Sequence, residues 1–186
     1  MPMSTSGDNP SPQRLGQAAQ ELGQWLLDSG REKVVFAESC TGGLVAAELA
    51  TVPGISQHLC GSMVTYREPS KTAWLGVDSQ LLEQYSAVSQ PVTDAMALGV
   101  LQRTSEASWS AAVTGHLGPG APAQLDGQIF IAVARRFRGG AVSPLVKQLA
   151  VRLRSNTRAE RQAEAAAQVL ETLAEAMQDA AREPSL

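Results

Sequence analysis

Three side chains with nucleophile chemistry stand in a row at Ser39, Cys40 and Thr41, and Gly42 and Gly43 follow at once. They lie between the apolar run Lys33-Val34-Val35-Phe36-Ala37, closed by Glu38, and an alanine-rich segment. A strand that hands over to a helix in so few residues puts the turn at the carboxyl edge of a sheet, where open α/β folds bind ligands. Free N–H groups in the first helical turn favour an anion there, and the glycines let backbone approach a ligand closely. Two compatible readings follow. The turn holds a phosphate or carboxylate, or it presents Ser39 as a nucleophile with nearby N–H groups as an oxyanion hole. The plainer alternative is a helix capped by Ser39 or Thr41. A thiol at a helix N-terminus can have a lowered pKa, but Cys40 is read as a small buried cysteine.

A serine is a poor nucleophile without a base. The ordinary candidates are His58 and His116, the latter in the loop Thr114-Gly115-His116-Leu117-Gly118-Pro119-Gly120. The other option is one of the three lysines, Lys33, Lys71 and Lys147. A free lysine titrates near ~10.4 and is charged at neutral pH. Burial beside a cation or hydroxyl donor would have to depress it before it could take a proton. Judged by local context alone, Lys71 reads as a solvated helix lysine and Tyr66 as a packing residue at a strand end.

These residues need a frame to bring them together. Apolar residues recur at helical spacing over 12–29, and Gly30 is a plausible stop. A short buried strand is expected over 34–37, a helix over 43–51 closed by Pro53-Gly54, and a strand over 59–66. Short helices are expected over 68–75 and 79–85, and a longer one over 90–105 with Ser89 as N-cap. Strands over 109–113, ending in Thr114-Gly115, then 128–135 and 145–153, follow a Gly/Pro loop over 115–127 or flank it. A last helix starts at Thr157, where Thr157-x-x-Glu160 is a capping-box pattern. Early elements alternate helix and strand and later strands look hairpin-joined. The expected fold is therefore α/β, a three-layer α/β/α domain with a mixed central sheet.

Composition excludes several classes. The chain has 186 residues, 44% hydrophobic, which suits one globular domain. Residues 1–11 read as a disordered tail, 12–182 as the single domain and 183–186 as a C-terminal tail. A net charge of −3 leaves no footprint of a nucleic-acid binder. Arg135, Arg136 and Arg138 read as a solvated basic loop. No apolar run approaches the ~20 residues of a membrane span, and the polar N-terminus does not read as a secretory signal. Two cysteines and two histidines without metal spacing predict no disulfide framework, no protein-built zinc site and a reducing cytoplasm.

Taken in order, the segments AESCTGGLVAAELATVPGIS, VTYREPSKTAWLGV, AVSQPVTDAMALGVL and AVTGHLGPG resemble the CinA C-terminal domain family over about residues 15–173. The pair ESCTGG and TYxxxxK is highly specific. The form resembled is the stand-alone one, without the N-terminal domain of full-length CinA proteins. The resemblance implies a domain that is often a homodimer. It also implies a metal-free serine/lysine hydrolase with no cofactor, which deamidates nicotinamide mononucleotide to nicotinic acid mononucleotide and ammonia. Carried over by motif, Ser39 would be the nucleophile, Lys71 its base, and Tyr66 the residue that orients the pair. Thr41, Gly42 and Gly43 would contribute turn N–H groups, Thr114 and Gly115 the opposite wall, and Arg161 the later arginine of the motif before the last helix. Two departures stand out. The loop over 120–127 lacks the usual lysine, and the usual Gly-Asp-Arg reads Ser155-Asn156-Thr157, so Arg154 and Arg158 are the cations that could reach the same space. These changes leave room for a hydrolase of another small amide, or for a weakly catalytic nucleotide-binding or regulatory module.

Overall fold

The strands at the centre are almost purely apolar, and a sheet of that kind must be covered on both faces. A computed structural model describes residues 11–137 and 145–182 and shows that arrangement. Five strands run in the order β2-β1-β3-β4-β5. They are β1 (Val34–Glu38), β2 (Leu59–Val64), β3 (Trp109–Gly115), β4 (Gln128–Arg135) and β5 (Lys147–Arg152). β1 pairs in parallel with both β2 and β3, whereas β3–β4 and β4–β5 are antiparallel, so the sheet is mixed.

Alternation along the strands feeds two cores. Val34 and Phe36 of β1 and Trp109, Ala111 and Val113 of β3 face one layer. That layer holds α1 (Ser11–Ser29), α2 (Leu44–Leu49) and the long α6 (Arg158–Arg182). Val35 and Ala37 of β1 and Ala112 of β3 face the other. There lie α3 (Glu68–Leu75), α4 (Ser79–Tyr85) and α5 (Gln90–Arg103). The three-layer expectation holds, and most element bounds agree within two residues. α5 stops at Arg103 rather than 105 because Arg136 Nε and Nη2 donate to the Ala107 and Thr104 carbonyls, and Nη2 also to that of Leu101, at its C-terminal end. Ser89 occupies the cap position of α5, but its hydroxyl donates to the Ser86 carbonyl instead of capping. The Thr157/Glu160 capping box forms in both directions. Of the expected basic loop, Arg135 stacks on Trp109 at 5.0 Å. Arg138 and the two expected tails lie outside the described residues, apart from Ser11, which opens α1. Among the described residues no helix is long and apolar enough to cross a membrane.

One close approach sets the position of α3. A Cβ built on Gly99 of α5 would lie 2.2 Å from the Leu75 carbonyl oxygen at the end of α3. Backbone cannot yield there as a side-chain tip can. Gly99→Ala should therefore cost about 1–3 kcal/mol in urea unfolding by forcing α5 and α3 apart.

Candidate active site

Successive connections leave the sheet on opposite faces. The chain leaves β1 through α2 into one layer and leaves β2 through α3 into the other. The carboxyl ends of β1 and β2 thus flank a crevice, the place where open α/β sheets bind ligands. Ser39 directly follows β1 and is 9% exposed, while Lys71 on α3 is 1% exposed. The Lys71 amine lies 2.9 Å from the Ser39 hydroxyl oxygen and also donates to the Thr65 carbonyl just after β2. Burial pulls the Lys71 amine down from 10.5 to about 8, an effect that the neighbouring Cys40 and Glu68 only partly counter. The Thr65 hydroxyl beside it is the one buried side-chain polar atom among the described residues with no partner.

The other candidate bases fall away on geometry. His58 is buried, and its Nδ1 lies 2.7 Å from the Glu32 carbonyl oxygen near the amino ends of β1 and β2, far from Ser39 along the strands. Lys33 pairs with Glu106 at 2.6 Å, and Lys147 with Glu175 at 2.8 Å. His116 lies in the loop after β3 and makes only its backbone bonds to Gln128 and Gly127 among the described residues. The solvated reading of Lys71 is corrected, because α3 turns that side chain under the sheet edge.

The turn itself is organised by a residue that sequence reasoning passed over. Glu38 is buried at 1% exposure, and its carboxylate accepts five hydrogen bonds. They come from the Thr41 hydroxyl at 2.8 Å, the N–H groups of Gly43, Val45 and Ala46 at 2.9, 3.1 and 3.1 Å, and the Ser62 hydroxyl at 2.9 Å. Gly42 and Gly43 take φ of 64° and 102°, left-handed values that favour glycine, and so curl the chain around that carboxylate. Neither Ser39 nor Thr41 caps α2, because its N-cap position is Gly43 with no side-chain cap. The sequence signal for Glu38 was an acidic residue closing an apolar run just before a helix N-terminus.

This arrangement revises the expected substrate contacts. The N–H of Gly42 donates to the Ser39 carbonyl and that of Gly43 to Glu38, so neither is open to a ligand. The Thr41 hydroxyl is committed too, and the turn's N–H groups with no oxygen acceptor among the described residues are those of Cys40, which faces its own sulfur, and Thr41. Thr114 is fully buried with its hydroxyl 2.8 Å from that of Thr93, so it braces α5 rather than lining the crevice. A Cβ on Gly115 would strike Ile129 at 2.5 Å and Cys40 at 3.1 Å, which makes it a packing glycine. Burial pushes the Cys40 thiol up to about 12, opposite to an activated thiolate.

Tyr66 and Arg161 are also placed differently from expectation. Tyr66 is 57% exposed, and its hydroxyl accepts from Arg158 at 2.8 Å, while Ser39 and Lys71 pair without it. Arg161 is held bidentately by Asp126 at 2.8 and 2.9 Å and donates further to the Ser155 and Leu117 carbonyls. It fastens the 115–127 loop to α6, and the Asp126 carboxylate neutralises its charge. Gln162 Nε2 donates to the Thr41 carbonyl at 2.7 Å, so the first turns of α6 sit over the Ser39 turn. Among the described residues no three His, Cys, Asp or Glu side chains converge to hold a metal ion.

Residues 16–177 match the model of the CinA C-terminal domain. The chain belongs to the CinA C-terminal domain family. A CinA-like protein of Prochlorococcus marinus is 49% identical over 111 residues, which is 59% of this chain and 26% of that protein. A CinA-like protein of Mycolicibacterium vanbaalenii is 44% identical over 117 residues, 62% of this chain and 27% of its own length. The chain thus spans about a quarter of these relatives. Among solved structures, a competence/damage inducible protein from Agrobacterium tumefaciens superposes with a TM-score of 0.78 at 30% identity, covering 95% of this chain and 100% of that one. A CinA superfamily protein from Escherichia coli gives 0.75 at 26% identity, covering 91% and 92%. This CinA domain therefore carries its buried serine–lysine pair on the fold its relatives share.

Proposed function

We propose that this CinA domain is an amidohydrolase that uses Ser39 and Lys71 as a catalytic dyad and deamidates nicotinamide mononucleotide. The observation that carries the reading is the 2.9 Å approach of a buried, neutralisable amine to a hydroxyl at the crevice. The lone pair of Lys71 Nζ takes the Ser39 proton as Oγ bonds to the carboxamide carbon. The Cys40 and Thr41 N–H groups, from the third and fourth residues of ESCTGG, face the developing oxyanion. A donor of that kind contributes ~3–4 kcal/mol to barrier lowering. The Lys71 ammonium then gives its proton to the amide nitrogen, the C–N bond breaks and ammonia leaves. Water, deprotonated by the same amine, attacks the acyl ester, and the carboxylate product and Ser39 hydroxyl are released.

Ammonia release from nicotinamide mononucleotide by the purified protein, lost in Ser39→Ala, is the test. Turnover surviving Ser39→Ala and lost in Cys40→Ala would move the nucleophile to Cys40. Tight binding without ammonia would leave a binding module. The proposed base also sets a pH dependence. With its pKa near 8, Lys71 is mostly protonated below that value. kcat/KM should rise about tenfold per pH unit from pH 6 to 7.5 and level off above pH 8.

A further inference from the structure

Thr65 holds Lys71 through its backbone, yet its own hydroxyl holds nothing. A protonated lysine has three N–H donors. The Lys71 amine meets the Ser39 hydroxyl and the Thr65 carbonyl, and its third donor finds no acceptor among the described residues. The Thr65 hydroxyl is fully buried and has no partner either. Strand register puts these groups on one side of the sheet. Glu38 pairs with Val64, and the Thr65 N–H donates to the Glu38 carbonyl at 2.8 Å, so Thr65 stands beside Ser39. Ala37 and its partner Met63 face the layer of α3 and α5, and two residues further on Ser39 and Thr65 face the same way. Lys71 on α3 comes to them from that layer.

A buried hydroxyl without a bond is costly, and a valine of the same shape would lose nothing in the resting site. The use of this hydroxyl therefore lies in another state. The reaction supplies one. During acylation Lys71 is held between the Ser39 oxygen and the Thr65 carbonyl. Once Ser39 is esterified, its oxygen has no proton to give and is a poor acceptor. The amine then loses one of its two anchors just when it must deprotonate water.

We propose that Thr65 Oγ accepts an N–H of Lys71 in the acyl-enzyme and aims the amine lone pair at the hydrolytic water, which makes Thr65 a positioning residue for deacylation. This rests on the amidohydrolase reading of Ser39 and Lys71. In that step a water proton passes to Lys71 Nζ as the water oxygen bonds to the acyl carbon. Collapse of the adduct breaks the bond from carbon to Ser39 Oγ, and the ammonium returns the proton to that oxygen. Thr65 gives up no proton. It holds the N–H that is not transferred.

The test compares two ammonia measurements on the natural protein, Thr65→Val and Thr65→Ser, with nicotinamide mononucleotide. With enzyme in excess, a single turnover reads acylation alone, because ammonia leaves in that half. With substrate in excess, the steady-state rate includes deacylation. Thr65→Val should lower the steady-state rate about 10- to 100-fold, the factor of a hydrogen bond to a charged group, with the single-turnover rate held within ~3-fold. Its time course should show a burst of ammonia ahead of a slow phase. Thr65→Ser retains the hydroxyl and should restore most of the steady-state rate. The thermal midpoint of Thr65→Val should equal or exceed that of the natural protein, since no resting bond is lost. The assignment is overturned by an unchanged steady-state rate, by a single-turnover rate that falls in parallel, by failure of Thr65→Ser to restore turnover, or by a midpoint lowered by several degrees. Each of these leaves the hydrolase standing if the natural protein releases ammonia. No release from the natural protein would end both readings.

Discussion

Lys71→Met should lower ammonia release from nicotinamide mononucleotide by about 10³-fold or more while the domain stays folded. The effect is large because Lys71 is asked to act twice, as base toward Ser39 and as acid toward the leaving nitrogen, and positioned proton transfer contributes ~10²–10⁴-fold per role. Ser39→Ala should be as damaging, and the double variant little worse than either single one, since groups that act as a unit do not add. The stability side has a definite sign. In the folded protein Lys71 titrates near 8 rather than 10.5. Below pH 8 folded and unfolded chains both hold the proton, and the cost of burying the charge is fully present. Between pH 8 and 10.5 the unfolded chain holds more protons, so stability rises with pH. Met carries no charge to bury but leaves the Thr65 carbonyl without its donor, and these changes offset one another near pH 7. Urea midpoints measured from pH 7 to 10 should climb for the natural protein relative to Lys71→Met. Parallel curves would mean that the amine is not desolvated, and turnover within tenfold of normal would remove it as the base.

Glu38→Gln should destabilise the domain by about 2–4 kcal/mol although the two side chains are nearly identical in shape. All five groups around the carboxylate are donors, three of them backbone N–H groups that cannot turn round. An amide presents two donors of its own. The better orientation turns its NH₂ toward Ala46 and Ser62, where the Ser62 hydroxyl can rotate to accept but the Ala46 N–H cannot. A buried donor left facing a donor carries the full desolvation penalty. Glu38→Ala orphans all five and should leave little folded protein. Because Ser39 follows Glu38 directly, the folded fraction of Glu38→Gln should also turn over at least ~10-fold more slowly, with its thermal midpoint lowered by several degrees. A midpoint within 1–2 °C of normal, a range that corresponds to about 1 kcal/mol or less, would show that the carboxylate does not hold the turn.

Both results bear on what could be read in advance. The strand–turn–helix at Ser39 was legible because it is written in local pattern, an apolar run broken by a glycine pair. The short helix that carries Lys71 was legible too, down to its bounds at Glu68 and Leu75. Glu38 was not, because an acidic residue at a strand end looks solvent-facing until α2 is seen to close over it. Arg161 and Arg158 illustrate the same limit. Three residues apart on one helix, they differ in that a loop 35 residues away sends Asp126 to one and nothing acidic to the other.

The sequence by itself determined the order of helices and strands, the α/β class and a hydroxyl at a tight strand-to-helix turn, because periodicity, glycine placement and capping are local properties. Only the tertiary structure decided which lysine is buried against that hydroxyl, which N–H groups of the turn stay open and which arginine keeps its charge. Those outcomes depend on contacts across 32, 92 and 121 residues of chain. Desolvation and pairing arise from what surrounds a group, and those surroundings exist only once the layers have packed.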